Sequence, residues 1–150
     1  MFPLIEHVPK LILASLVGCI IGTERALQKK KKHVGVGTCS MITFASTLLT
    51  IISSYGFEGN ADNSRLIANI ITSVGFICSG VIFVKSNDEN EDEEIVGLTT
   101  GAILFVLSAI GITIGLGYWE LAICSTILIL FNLGISKIFK KYVLKKDTDK

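Results

Sequence analysis

The stretch IVGLTTGAILFVLSAIGITIGLGYW, Ile95 to Trp119, decides the fold, because nothing between Glu94 and Glu120 carries a charge. A helix crosses the hydrocarbon layer with roughly 20 mostly apolar residues. No water reaches the backbone there, so the segment must close its own hydrogen bonds. Working outward, residues 34–57, 66–84 and 121–136 are equally free of charge, and 11–23 forms a shorter run that extends back through Lys10 to Val8. The expected fold class is therefore all-α, a polytopic integral membrane bundle of about five spans, near 8–25, 34–54, 66–84, 97–117 and 119–137. These spans occupy most of the 150 residues, and half of all residues are hydrophobic, which leaves little for a separate soluble domain. The expected organisation is a membrane domain over 1–136, then a basic cytoplasmic tail over 137–150 with no C-terminal soluble domain.

The start of the chain does not read as a signal peptide. It carries Pro3, Glu6 and Pro9 and lacks a basic first segment, and the apolar run ends in Gly22, Glu24 and Arg25 with no cleavage site. It is read as a retained first span. Cys19, Cys39, Cys78 and Cys124 fall in four different apolar stretches and are not spaced as metal ligands. His7 and His33 are isolated, and neither falls in an apolar span. No cofactor is expected, and a metal role stays open.

The fourteen Lys and Arg residues orient the bundle. With the N-terminus outside, Arg25, Lys29, Lys30, Lys31, Lys32, Lys85, Lys137, Lys140, Lys141, Lys145, Lys146 and Lys150 all lie inside, and only Lys10 and Arg65 lie outside. The positive-inside rule favours this arrangement, with the C-terminus in the cytoplasm. The basic cluster at 29–32 and the basic tail fit anionic headgroups better than nucleic acid. Tyr118 and Trp119 stand as interfacial anchors at a tight hairpin between spans four and five.

Lipid tails do not drive helices together, so small residues and interhelical hydrogen bonds must do so. Small residues recur four apart at Gly18 and Gly22, Gly75 and Ser79, Gly97 and Gly101, and Gly111 and Gly115. Ser40, Thr43, Thr47, Thr50 and Ser54 form a polar stripe along span two. Asn69, Thr72, Ser73 and Ser79 add polar groups in span three. Such stripes serve either interhelical bonding or a permeation route, and both readings stay open here. Glu24 and Arg25 close span one, where ionisable groups near hydrocarbon point to a lock or a functional site. Asp62 is placed to start span three, with Arg65 as an ionic partner.

Gly18-Cys-Ile-Ile-Gly22-Thr-Glu24-Arg25 resembles the G-x-x-I-G-x-E-R motif of the MgtC/SapB family of bacterial membrane proteins. Three further blocks follow in the family's order. Residues 34–42 resemble its A-G-L-R-T-H segment. Asp62-x-x-Arg65 with Gly75-Phe76-x-x-x-Gly80-Val81-Ile82 resembles its D-x-x-R and G-F-x-x-x-G-V-I pair. Gly97-Leu98-Thr99-Thr100 with Ser108-Ala109-Ile110-Gly111 resembles G-L-T-T and S-A-x-G. The resemblance covers about residues 11–135. It implies the membrane domain of an inner or plasma membrane protein associated with growth in low magnesium and, in some members, with virulence. It also implies a regulator that acts on membrane partners, the F-type ATP synthase among them, rather than an enzyme. Homo-oligomers are a further expectation. The residues it singles out are Gly18, Gly22, Glu24, Arg25, Asp62, Arg65, Asn69, Gly75, Gly80, Gly97, Thr99 and Thr100, with Thr99 near the inner mouth of span four.

The chain departs from the family at Gly37 and Val96, where arginines are usual, and at Cys39, where histidine is usual. Nearby, Asp88, Glu89, Glu91, Asp92, Glu93 and Glu94 reverse the sign of the surface. That run fails as an EF-hand, with Glu93 at the sixth position and Thr99 at the twelfth. It reads as a solvated loop. The alternative function is a small oligomeric transporter or channel, magnesium-linked, using Glu24, Asp62, Arg65 and Asn69. A membrane enzyme has no base beside a nucleophile to support it.

Overall fold

The computed structural model describes residues 4–27, 35–57, 62, 64–87 and 90–148, with the backbone alone at 4, 85–87, 90–94 and 136–148. The basic cluster 29–32, His33, Asn63, Asp88, Glu89 and Lys150 lie outside the described residues. Five helices carry the fold: α1 Leu4–Ala26, α2 Val36–Tyr55, α3 Ser64–Val81, α4 Leu98–Leu116 and α5 Trp119–Thr148. The first four are long and apolar enough to cross a membrane, and the apolar part of α5 is Trp119–Ile135.

The helix α1 begins four residues before the expected start and carries Pro9 inside it. Proline removes one backbone donor, but this one falls in the second turn, where the freed carbonyl lies close to the end of the helix. His7 therefore belongs to the first helix and is buried, contrary to its reading as a residue outside the apolar spans. Helix α5 continues beyond 137 through the basic tail to Thr148.

Helix α2 is the centre of the bundle, packed along α1 on one side and α4 on the other. Helix α3 lies against α4, and α5 lies against α4 and the edge of α1. The core joins Ala14, Val17 and Ile21 of α1 to Leu104, Leu107, Ile110 and Ile114 of α4, with Ile70, Val74 and Cys78 from α3. The opposite face of α1 turns Ile12, Leu16 and Ile20 outward, and α5 does the same with Ile123, Ile127, Leu128 and Phe131. Contiguous apolar faces of this kind suit acyl chains as their solvent. The molecule is a multi-pass membrane protein.

Two connections have definite causes. Between α4 and α5, Gly117 adopts φ 84°, its N–H donates to the Ile114 carbonyl at 3.0 Å, and the Tyr118 N–H donates to the Thr113 carbonyl at 2.9 Å. This is a Schellman ending, which only a left-handed residue such as glycine completes without strain. Between α3 and α4, the acidic segment is not a plain loop. Strand β1, Phe83–Asn87, pairs antiparallel with β2, Asn90–Val96, setting Lys85 opposite Glu94 and Phe83 opposite Val96. Asn90 and Asp92 are thus in a strand, not in a cation-binding turn. Gly97 then turns the chain into α4 with φ 92°, and the Val81 carbonyl occupies the space where a Cβ would stand.

Candidate functional site

Helix α1 presents one buried stripe, and it ends in a cation at each pole. His7, Lys10, Ala14, Val17, Gly18, Ile21, Gly22 and Arg25 recur at helical spacing and are all buried. At the midpoint the helix backbones meet. A Cβ at Gly18 would stand 2.5 Å from the Ser40 Cα, and one at Gly22 would stand 2.9 Å from the Val36 Cα. The Ser40 hydroxyl adds a bond to the Ser15 carbonyl at 3.2 Å.

At one pole Arg25 is 8% exposed, and its Nη2 donates to the Thr100 Oγ1 at 3.4 Å. Arg25, Cys39, Thr100, Ile103 and Leu104 surround a cleft of about 10 Å³, room for a single water. The family motifs around Arg25 and Thr100 thus meet in space through α1 and α4. Thr99, the residue expected at the mouth of span four, is exposed and leaves this contact to its neighbour. Glu24 is half-buried. Gly37 is exposed with open space around it, and Val96 is paired in the ribbon.

At the other pole Lys10 is also 8% exposed, and its ammonium donates to the Gly115 carbonyl at 3.0 Å. That carbonyl is one of the last four of α4, which lack partners within the helix, and a cation there meets the negative end of the helix dipole. The ammonium lies 5.8 Å from the Tyr55 ring centroid and 6.0 Å from that of Trp119, within cation–π range. His7 packs its ring against Tyr55 at 4.7 Å. Sequence reasoning missed this cluster. Continuing the Arg25, Gly22, Gly18 spacing backwards, past the expected start at Val8, reaches it.

The polar stripe of α2 is spent on packing. Thr43 and Thr50 donate to the carbonyls of Cys39 and Ser46 at 3.0 and 2.7 Å. The Thr47 hydroxyl shares its proton between Thr43 O at 2.9 Å and Gly111 O at 2.8 Å. Gly111 and Gly115 admit α2 so closely that Cβ atoms would meet Thr43 O at 2.6 Å and Thr50 Cβ at 2.6 Å. Of the two readings of this stripe, interhelical bonding is seen at Ser40 and Thr47, whereas Thr43 and Thr50 turn their hydroxyls back onto carbonyls of α2 itself.

The remaining expected residues lie apart from both poles. Asp62 accepts from the Ser64 N–H at 3.0 Å and the Ser64 hydroxyl at 2.6 Å, so it caps α3. Those two bonds, and more weakly the Arg65 charge, hold its carboxyl below the ordinary value. Its main partner is Ser64, not Arg65. Asn69 is exposed, and neither Gly75 nor Gly80 has a neighbour within 4 Å of a Cβ position, so the expected Gly75–Ser79 packing pair meets no helix among the described residues. Gly101 does pack, with the Cys78 thiol donating to its carbonyl at 3.0 Å. Among the described residues no three His, Cys, Asp or Glu side chains converge as metal ligands.

The model of the MgtC family matches residues 11–142. The chain belongs to the MgtC family. It is 38% identical to an uncharacterized protein of Haemophilus influenzae over 91% of this chain and 58% of that protein. Protein SapB of Bacillus subtilis is 40% identical over 91% of this chain and 57% of its own length. YhiD of Escherichia coli K12, whose name includes the words magnesium transporter, is 38% identical over 87% of this chain and 60% of its own length. The chain thus spans a little over half the length of these relatives. No solved structure matches it.

Proposed function

We propose that this chain is a non-enzymatic plasma-membrane protein that adapts a bacterium to low magnesium by docking on other membrane proteins, F-type ATP synthase subunits being the family's candidate. The observation that carries this reading is the burial of Thr43, Thr47 and Thr50 beside Gly111 and Gly115 of α4, where Thr43 and Thr50 close their hydroxyls on carbonyls of α2 itself and Thr47 also bonds the Gly111 carbonyl. The polar groups that would line a passage through one copy are closed into the α2–α4 seam, and the cleft beside Arg25 has room for one water. Glu24, Arg25 and Thr100 then act as the fastening of the helix ends, with the N-terminus outside and the basic tail in the cytoplasm.

The transporter reading has one observation on its side, the outward polar face of α3, and the name of YhiD agrees with it. Flux decides between them. Purified protein in liposomes is expected to move neither magnesium nor monovalent cations, while cross-linking in cells returns a recurrent membrane partner. Saturable magnesium flux, or cross-linking without a recurrent partner, overturns the docking proposal.

A further inference from the structure

His7 is the one histidine among the described residues, and it stands beside a lysine that is itself buried. His7 is 4% exposed and Lys10 8%, three residues apart on the buried stripe of α1. Both meet one ring of α2. The His7 ring lies 4.7 Å and the Lys10 Nζ 5.8 Å from the Tyr55 centroid. The turn between α4 and α5 closes over the ammonium, where a Cβ at Gly117 would stand 3.5 Å from Nζ and the Trp119 ring lies 6.0 Å away. The ends of α1, α2, α4 and α5 are thus gathered around the Lys10 charge. The other titratable groups of this pole are few. On α1 Glu6 is exposed, and on α5 Tyr118 and Glu120 are exposed. Helix α2 brings Tyr55, and α4 brings no titratable side chain, only the Gly115 carbonyl that Lys10 already takes. Asp62 and Arg65 stand at the start of α3, which lies against α4.

We propose that this pole is an acid-sensitive latch, in which a proton taken up by His7 sets a second cation beside Lys10 and parts the outer end of α1 from α2 and α5. Imidazole is the side chain that changes its charge between about pH 5 and 8. Like charges repel most strongly where water is scarce. The negative end of α4 receives one ammonium, and that place is occupied. Glu6 and Glu120 are solvated at the rim, so no carboxylate is buried between the two basic groups among the described residues. Parting the helix ends admits water to both charges and relieves the repulsion. The fold permits this movement locally. The close backbone contacts of α1 with α2 lie further along the helix, at Gly18 and Gly22, and keep the seam shut. Pro9 removes the backbone donor that would tie its turn to the preceding one, so the first turns bend at low cost. With the N-terminus outside, the latch answers to acid on the outer face. The inference goes beyond the docking reading and does not depend on it.

The chain has a single tryptophan, Trp119, and it reports on the latch directly. The full-length protein in lipid nanodiscs is compared between about pH 7.5 and pH 5. Quenching of Trp119 by acrylamide, a neutral quencher, is expected to rise about two-fold in acid, with the thermal midpoint falling by roughly 3 °C. His7→Gln is expected to remove both changes, and so is His7→Phe, which keeps an aromatic ring against Tyr55. Lys10→Met starts from a lower midpoint but is expected to lose the acid response as well, because a proton on His7 then meets no second cation. Glu120→Gln and His33→Gln are expected to retain the response in full. The proposal is overturned if the wild-type protein shows no change in acid. It is equally overturned if the change persists in either His7 variant or in Lys10→Met, or if Glu120→Gln or His33→Gln abolishes it.

Discussion

Lys10 shows how one side chain ties elements far apart in the chain. Its ammonium closes an orphan carbonyl at Gly115, 105 residues away, and lies within cation–π range of the rings of Tyr55 and Trp119. Lys10→Met keeps the apolar stem and removes the charge-assisted bond, which is worth about 1.5–3 kcal/mol. The expected result is a lower thermal midpoint in detergent, with Lys10→Arg retaining part of the stability. Asp62 gives a second test. Its carboxyl is held below the ordinary value near 3.9 by Ser64, so the charged form is favoured in the folded chain. The capping it contributes is present above about pH 3.9 and is lost as the pH falls through the lower folded value. A carbon-13 titration of Asp62 should show that lowered midpoint, and Ser64→Ala should raise it.

Among the helices, equal spacing has unequal meaning. Gly18, Gly22, Gly111 and Gly115 are where α2 receives its two neighbours. Gly75, with the same spacing to Ser79, meets no helix among the described residues. Gly18→Val or Gly115→Leu must push backbones apart and is expected to abolish the folded monomer, whereas Gly75→Ala should leave its thermal midpoint unchanged. Thr47→Val removes one interhelical bond and should cost only about 0.6 kcal/mol, so the glycines outweigh the hydroxyls in this seam. The spans themselves were legible, because an uncharged run of this length has few other uses. The partner of each face was not, since periodicity reports which side chains share a face and is silent on what lies opposite. The ribbon was hidden because clustered carboxylates have low strand propensity. Its pairing follows from the antiparallel approach of α3 and α4 at the Arg25 pole.

For the molecule as a whole, the charge pattern remains the guide to orientation. A C-terminal green fluorescent protein fusion is expected to fluoresce and a C-terminal alkaline phosphatase fusion to be inactive, and the converse pair of results would reverse the assignment. The meeting of Arg25 with Thr100 was half legible. The family motifs marked both regions, but Thr99 was preferred to the neighbour that makes the bond, because a one-residue step on a helix turns the side chain by about 100°.

The unequal lengths of the helices bear on the surrounding bilayer. At 1.5 Å per residue, the 18 residues of α3 reach roughly 27 Å and the 23 of α1 roughly 34 Å, on either side of a hydrocarbon thickness of about 30 Å. One flank of the molecule is then too tall for the leaflets and must lean, while the other pinches them inward. Short-chain lipids should gather on the pinched flank, so membrane thickness becomes a variable that this small bundle can both feel and shape.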